Sequence, residues 1–261
     1  MEKTRAGIQS VEVGFALLDT LARARGPLML RDLAADAGMS AAKAHRYLVS
    51  FQRLGLVSQD HSTRYDLGPA ALKLGLAAIT RLDAIKLARE RMPALTAQIN
   101  HTLALAVWGN HGPTIVHWEE SPQSVTVNLR LGDVMPLLSS ATGRCFAAYV
   151  SREAMAPLLR EEMARARQLG RNDLPRNQHA LNTLLREVRE QGLARVVDTL
   201  LPGVAGFCAP VFDFDGHLAL GLVAMGSVAS FDTAWDGTVA QPLRAAAQQL
   251  SSELGYPSCE R

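Results

Sequence analysis

The first 53 residues of the sequence contain three helical patterns separated by short breaks. Apolar residues recur every three or four positions over residues 8–23, which predicts an amphipathic helix. Gly26-Pro27 ends that pattern, and residues 30–37 fit a short second helix. Gly38 then supplies a tight turn, and Ser40 is a natural N-cap for a third helix. Helix, short helix, glycine turn and helix in this order predict a helix-turn-helix.

The third helix, residues 40–53, has two chemically different faces. Its inward face is predicted to be Ala44, Tyr47, Leu48 and Phe51. Its opposite face carries Ala42, Lys43, Arg46, Ser50 and Arg53. The sequence has no acidic residue between Asp36 and Asp60, and lysine and arginine on an acid-free face neutralise DNA phosphates. An isolated basic stripe is more often a solvated helix face, but its position in a helix-turn-helix favours DNA binding.

A short hairpin is predicted directly after the third helix. Residues 56–59 and 64–67 read as strands around a polar turn, which corresponds to the wing of a winged helix. Early residues of a recognition helix usually read base edges, and later ones hold phosphates. We therefore expect double-stranded DNA as the partner. The predicted DNA-binding residues are Ser40, Ala42, Lys43, His45, Arg46, Ser50, Arg53 and, on the wing, Arg64.

The rest of the chain mixes helical and strand patterns. Residues 70–91 read as a linker helix that is too apolar for a solvated connector, so we expect it to pack, on a second subunit. The remainder predicts a mixed sheet flanked by helices, an α/β (α+β) architecture common among small-molecule sensors. Its predicted elements include a strand over residues 125–131 and a closing amphipathic helix over residues 233–254. The predicted domains are 1–69, 70–91 and 92–261.

Composition narrows the class of protein. The chain has 261 residues and a net charge of +2, but residues 1–80 hold ten Lys/Arg against seven Asp/Glu. No apolar run approaches the roughly 18 residues of a membrane span, and residues 1–5 open no signal peptide. We therefore expect a cytoplasmic protein that does not bind membranes. The cysteines and histidines show no metal-ligand spacing, so no metal or cofactor is predicted.

Several ordered motifs carry a family resemblance. They are Gly38-Met39-Ser40, His45-Arg46-Tyr47-Leu48, Leu54-Gly55-Leu56-Val57, Leu131-Gly132-Asp133-Val134-Met135-Pro136-Leu137, Ser140-Ala141-Thr142-Gly143-Arg144 and Ala209-Pro210-Val211-Phe212-Asp213. With these motifs the sequence resembles the IclR family of bacterial transcriptional regulators. The resemblance implies a winged helix joined by a linker helix to a GAF-like effector-binding domain. It also implies dimers, or tetramers built as dimers of dimers, that bind palindromic operators and respond to small metabolites.

The resemblance places an effector pocket between the sheet and residues 137–144. Ala141-Thr142-Gly143 precedes a helix, so the backbone amides there suit a carboxylate, although ordinary helix capping is the alternative. Many relatives carry Ser-x-Ser-Gly-Pro where residues 223–227 read Val-Ala-Met-Gly-Ser, which favours an aromatic or bulkier apolar effector. The predicted effector-binding residues, each alternatively plain core, are Val127, Leu129, Met135, Ala141, Thr142, Gly143, Asp198, Gly206, Cys208, Val223 and Met225.

Two functions are alternatives to that of an effector-responsive regulator. Cys145 stands at a predicted helix start, where a thiolate is stabilised. No Gly-x-Ser-x-Gly elbow, phosphate-binding loop or dinucleotide glycine pattern accompanies it, so we expect no enzyme. The second alternative keeps the DNA-binding domain and makes the C-terminal domain a dimerisation module only.

Overall fold

A computed structural model of the chain describes residues 7–122 and 129–257. Internal contacts divide the chain into two compact units, Met1–Leu82 and Asp83–Arg261, which are described separately. Within the described residues, no helix is long and apolar enough to cross a bilayer. The three-part division into 1–69, 70–91 and 92–261 stays a prediction.

The first unit contains the predicted helix-turn-helix and hairpin. In order, its described elements are α1 (Gln9–Arg23), α2 (Leu30–Asp36), α3 (Ala41–Arg53), β1 (Val57–Gln59), β2 (Tyr65–Leu67) and α4 (Pro69–Ile79). Gly38 turns the chain between α2 and α3 with a φ of +66°, a conformation that glycine adopts without steric cost. Ser40 caps α3, because its hydroxyl accepts a hydrogen bond from the Lys43 amide at 3.4 Å. The structure therefore confirms the winged helix-turn-helix.

One small core holds the first unit together. Its buried members are Leu17, Leu21, Leu33, Ala34, Ala44, Leu48, Val57 and Tyr65. The hairpin joins the helices because Leu28 and Tyr65 exchange two backbone hydrogen bonds, at 2.9 and 2.8 Å. This pairing fixes the wing against the segment that connects α1 to α2.

Helix α1 has an apolar face outside this core. Ile8, which precedes the helix, and Val11 and Phe15 within it are 70%, 65% and 64% exposed, whereas Leu17 and Leu21 are buried. The apolar periodicity of residues 8–23 thus covers a core-facing stripe and a solvent-facing stripe. Patches of this kind on a folded unit often mark an interface.

The single helix expected over residues 70–91 is two helices. Helix α4 ends at Ile79, and α5 (Ala84–Ile99) begins after Asp83, whose carboxylate accepts a hydrogen bond from the Lys86 amide at 3.0 Å. The Asp83 cap is a local start signal within an otherwise continuous helical pattern. Helix α4 has no buried residue in its unit.

The second unit is built around one antiparallel sheet. Besides α5, its described elements are β3 (Thr102–Gly109), β4 (Gly112–Glu119), α6 (Ala141–Tyr149), α7 (Arg152–Gln168), α8 (Gln178–Gln191), β5 (Ala194–Val197), β6 (Val204–Phe212), β7 (Leu218–Ser227) and α9 (Ala240–Glu253). The strands lie in the order β4-β3-β7-β6-β5. Every pair of neighbouring strands in this order is antiparallel, which makes the architecture α+β.

Alternate residues of the strands point to two separate cores. Leu103, Phe207 and Leu222 pack with α5 and α9 on one face of the sheet. Ala104 and Val223 pack with α6, α7 and α8 on the other face. Successive side chains of a strand point to opposite faces, so the sheet is covered by helices on both sides.

Two elements of the second unit differ from expectation. Most of the strand predicted over 125–131 lies outside the described residues, and positions 129–131 are not in a strand. The closing helix was predicted from Thr233 but begins at Ala240. The reason is local, because the Asp232 carboxylate accepts hydrogen bonds from the amides of Ala234 and Thr238, at 3.0 and 2.8 Å, and holds this stretch as a turn.

Candidate DNA-binding surface and effector cavity

Helix α3 presents a basic face to solvent. Lys43, Arg46 and Arg53 are exposed, and none of the three forms a salt bridge within the described residues. Ala42 and His45 are also exposed. Ser50 is exposed, but its hydroxyl donates to the Arg46 carbonyl at 3.3 Å. The face is therefore positively charged and free to meet an anionic partner.

The wing is ordered by one aspartate. The Asp60 carboxylate accepts hydrogen bonds from the Ser62 hydroxyl and from the amides of Ser62 and Arg64, at 2.7, 2.8 and 2.9 Å. The Ser62 hydrogen bond, followed by that from Arg64, lowers the pKa of Asp60. The Arg64 guanidinium donates to the Pro27 carbonyl at 3.3 Å. Arg64 thus lies beside the turn of the wing, with part of its donor capacity already used.

Sequence patterns did not reveal a link between α3 and the wing. The Gln52 amide donates to Gln59 at 3.4 Å, and Gln59 donates to the Thr63 carbonyl at 3.1 Å. These side chains connect the exposed end of the helix to the turn of the hairpin. Glutamines carry no periodic signal of their own, so only the folded chain shows this contact.

A small apolar cavity lies in the second unit between the sheet and the start of α6. Its volume is about 40 Å³. The predicted residues on its wall are Leu129, Met135, Ala141, Thr142, Gly206, Val223 and Met225. The wall residues that sequence reasoning missed are Ser140, Val196, Leu200, Leu201, Val204 and Ala205.

The start of α6 supplies the polar groups of this cavity. Ser140 caps the helix, because its hydroxyl accepts from the Gly143 amide at 2.8 Å and donates to the Pro136 carbonyl at 2.6 Å. The next two amides, of Ala141 and Thr142, stand in the first turn, where a helix has no internal acceptor. The Thr142 side chain is only 1% exposed, and its hydroxyl makes no hydrogen bond within the described residues. Ala141 and Thr142, whose amides stand in this first turn, therefore lie on the wall of a largely apolar space.

Other predicted effector contacts lie elsewhere. Gly143 packs under the Pro136 carbonyl, which a β-carbon would approach to 1.9 Å, so this glycine serves close packing. The Asp198 carboxylate accepts from the Gly203 amide at 2.6 Å in an exposed loop. Cys208 is buried in the core on the α6 side, and this burial raises the pKa of its thiol. Val127 falls outside the described residues.

Residues 134–140, directly before α6, separate this cavity from a larger groove. The groove measures about 460 Å³ and has Glu161, Glu162, Arg165 and Arg171 on its wall. Met135 lines both spaces. From α6, the Arg144 guanidinium donates to the carbonyls of Leu138 and Arg195, both at 2.8 Å. Burial lowers the pKa of Arg144 to about 10.

Cys145 does not have the exposure of a catalytic thiol. Its side chain is 0% exposed and packs in the core on the α6 side, so it is not presented to a substrate. Within residues 7–122 and 129–257, no cluster of three or more His, Cys, Asp or Glu is arranged to hold a metal ion.

A winged helix with an unpaired basic third helix, followed by an α+β unit with a cavity, is the design of a DNA-binding transcriptional regulator. Residues 10–61 match the IclR helix-turn-helix domain, and residues 76–252 match the family described as Bacterial transcriptional regulator IclR C-terminal. The protein belongs to the IclR family of bacterial transcriptional regulators.

Individual relatives agree with this assignment. The chain is 26% identical to the Escherichia coli DNA-binding transcriptional repressor YiaJ, over 98% of this chain and 91% of that protein. It is 30% identical to the Streptomyces coelicolor glycerol operon regulatory protein, over 79% of this chain and 80% of that protein. The crystal structure of Pseudomonas aeruginosa HmgR superposes with a TM-score of 0.86 at 37% identity, covering 96% of this chain and all of that one.

Proposed function

We propose that the protein represses catabolic or transport genes by binding operator DNA as a homodimer, and that an apolar carboxylate effector in the second unit changes this binding. The observation that carries the effector part is Thr142, a residue on the cavity wall that is 1% exposed and whose hydroxyl makes no hydrogen bond within the described residues. The sign of regulation follows the description of YiaJ as a repressor.

On DNA, the exposed residues of α3 divide into two groups by their position. Ala42, Lys43 and Arg46 lie in the first half of the helix, where recognition helices usually meet base edges. Ser50 and Arg53 lie in the second half and are assigned to phosphates. Ser40, His45 and Arg64 complete the proposed set, with Arg64 contacting the DNA backbone from beside the turn of the wing.

The effector chemistry follows from the wall of the cavity. The amides of Ala141 and Thr142 and the Thr142 hydroxyl together suit a carboxylate, which the positive end of the α6 dipole also favours. The opposite wall, including Val223 and Met225, is apolar and fits a ring or a branched chain. An effector such as an aromatic acid satisfies both halves of the site.

Exposed apolar side chains in the first unit support the homodimer. Val11 and Phe15 of α1 and Leu72, Leu74 and Leu76 of α4 are each more than half exposed. A second copy buries such a surface and also supplies a second recognition helix, as a two-fold operator requires. A tetramer is the pairing of two such dimers.

The experiment begins with purified protein and fragmented genomic DNA, from which the bound operator is recovered and labelled. Binding is then measured by fluorescence anisotropy with benzoate or phenylacetate, and with benzamide as the neutral control. We expect the two carboxylates to raise the melting temperature and change operator affinity, and Thr142→Val to weaken their binding. If neither carboxylate alters stability or operator affinity, the second unit is a dimerisation module and the effector proposal fails.

A further inference from the structure

The loop between β5 and β6, residues 198–203, lies between the effector cavity and solvent. Leu200 and Leu201 line the cavity and also a depression of about 220 Å³ next to it. Leu129 and Met135 belong to both spaces as well. These four side chains therefore form the partition between the interior and the surface, and two of them come from this loop.

The loop is closed on itself by its first and last residues. Asp198 adopts a φ of +54° and Gly203 a φ of +77°. The Asp198 carboxylate accepts from the Gly203 amide at 2.6 Å. These contacts are internal to the loop, whereas the Val228 amide, just after β7, donates to the Gly203 carbonyl at 2.9 Å and ties the end of the loop to the unit.

Arg171, which lies outside the loop, forms a hydrogen bond with it. Its guanidinium donates to the Thr199 carbonyl at 2.6 Å, and it also donates to the Asp173 carboxylate at 2.8 and 2.6 Å. Arg171 and Asp173 belong to the segment between α7 and α8, so the contact joins two separate parts of the unit. Charge-assisted hydrogen bonds of this kind are strong when dry. Here the Arg171 and Asp173 side chains are 37% and 45% exposed, and solvent therefore allows the contact to open.

The size of the cavity requires an opening. A volume of about 40 Å³ is well below the about 150 Å³ of an apolar cavity that holds benzene. Strands β6 and β7 and helix α6 are fixed by the sheet and its cores. The rest of the described wall comes from the loop of residues 198–203, from Val196 of β5, and from Leu129, Met135 and Ser140 before α6.

We propose that Arg171 is a positioning residue that holds the loop of residues 198–203 over the effector cavity, so that the cavity admits an effector only when this contact is released. The proposal rests on the proposed effector function of the same cavity. The apparent dissociation constant of an effector is its intrinsic value divided by the open fraction. We call the contact between Arg171 and the Thr199 carbonyl the latch. Removing the latch increases the open fraction of the protein and therefore strengthens effector binding.

Thiol labelling measures the opening without an effector. Met225, on the cavity wall, is 6% exposed, so the thiol introduced by Met225→Cys reacts with iodoacetamide only when the loop moves. Cys259→Ser removes the tail thiol, and the buried Cys145 and Cys208 serve as slow internal references. Adding Arg171→Ala is expected to accelerate labelling about fivefold or more, and Arg171→Lys, which keeps a charged donor, restores part of the protection.

A second arginine serves as the control that distinguishes loss of the latch from a general loss of positive charge. Arg160 is exposed on α7 and has no salt bridge within the described residues, so Arg160→Ala should leave labelling unchanged. Amide exchange of residues 198–203, followed by mass spectrometry without Met225→Cys, gives a second measurement if that variant does not fold. Wild-type rates of labelling and exchange in Arg171→Ala would overturn the proposal.

A titration with benzoate distinguishes this inference from the effector proposal itself. If benzoate binds the wild type, Arg171→Ala is expected to lower its dissociation constant about fivefold. An unchanged or higher constant contradicts the latch even when labelling is faster. If benzoate binds neither protein, the effector proposal loses support, and the labelling and exchange rates alone decide whether Arg171 holds the loop.

Discussion

The backbone amide of Leu137 donates to the Glu162 carboxylate at 2.6 Å, so Glu162 of α7 holds the segment before α6. The adjacent Leu138 amide donates to the other carboxylate oxygen at 2.9 Å. Burial raises the pKa of Glu162, and these two hydrogen bonds oppose that shift. One half-buried carboxylate thus fixes the segment that divides the effector cavity from the larger groove.

Glu162→Gln should destabilise the second unit. The amide side chain has one oxygen, so its NH₂ group faces one of the two backbone donors that the carboxylate accepts. Leaving a buried amide unsatisfied costs about 1–3 kcal/mol of unfolding free energy, which urea denaturation measures. The exposed neighbour Glu161 is the control, and Glu161→Gln should change stability little. Equal stabilities of the two variants would show that the Leu137 and Leu138 contacts contribute nothing.

Contacts of this kind mark the limit of prediction from the sequence. Helix α3 was predictable because its apolar spacing, its Ser40 cap and the Gly38 turn are local signals. Part of the cavity wall, such as Thr142 and Met225, followed from the family resemblance. The Glu162 hydrogen bond to Leu137 joins residues 25 apart, and no periodicity encodes it.

The loop residues of the cavity were missed for the same reason. Leu200 and Leu201 reach the wall because Asp198 adopts a left-handed conformation and Arg171 binds the loop from 28 residues away. Leucines in a loop have no helical or strand periodicity, so the sequence does not predict which way their side chains point. Asp198 stays a predicted effector contact, and in the folded chain its carboxylate closes the loop by accepting from the Gly203 amide.

Thr142→Val and Ser140→Ala should separate ligand binding from helix capping. The Ser140 hydroxyl makes two hydrogen bonds, so its removal costs about 0.5–2 kcal/mol of stability. The Thr142 hydroxyl makes none within the described chain, so valine should leave the unfolding free energy of the effector-free protein unchanged or raise it. Chemical denaturation without effector provides the comparison. A large loss of stability in Thr142→Val would mean that its hydroxyl supports the fold.

Arg46→Ala and Arg53→Ala should weaken DNA binding in different ways. Arg46 lies in the half of α3 assigned to bases, so its loss is expected to lower affinity for the operator by about 1–3 kcal/mol with less effect on unrelated DNA. Arg53 is assigned to a phosphate, so its loss should weaken binding to all sequences and reduce the salt slope by about one. Anisotropy titrations across several salt concentrations measure both effects. The assignment is reversed if Arg46→Ala changes the salt slope and Arg53→Ala changes selectivity.

His101 should make the stability of the second unit depend on pH. Its side chain is 5% exposed, its Nδ1 has no partner within the described residues, and its ring lies 4.9 Å from that of Phe231. Burial lowers the pKa of His101 below its ordinary value of 6.5. As the pH falls below 6.5, the unfolded chain takes up the proton first. The contribution of His101 is therefore fully present above that pH and is lost as the pH falls towards the lowered pKa.

The test is the difference between the wild type and His101→Gln, which keeps a hydrogen-bond donor but cannot titrate in this range. Urea unfolding between about pH 5 and pH 7.5 should show the wild type losing up to about 1.4 kcal/mol per pH unit relative to the variant. His111 is exposed in the turn between β3 and β4, so His111→Gln should retain the wild-type slope. Parallel pH profiles for the wild type and His101→Gln would mean that the buried imidazole accepts its proton as readily as the unfolded chain does. In that case the core around Phe231 opens to water, and the burial of His101 gives no pH dependence to the fold.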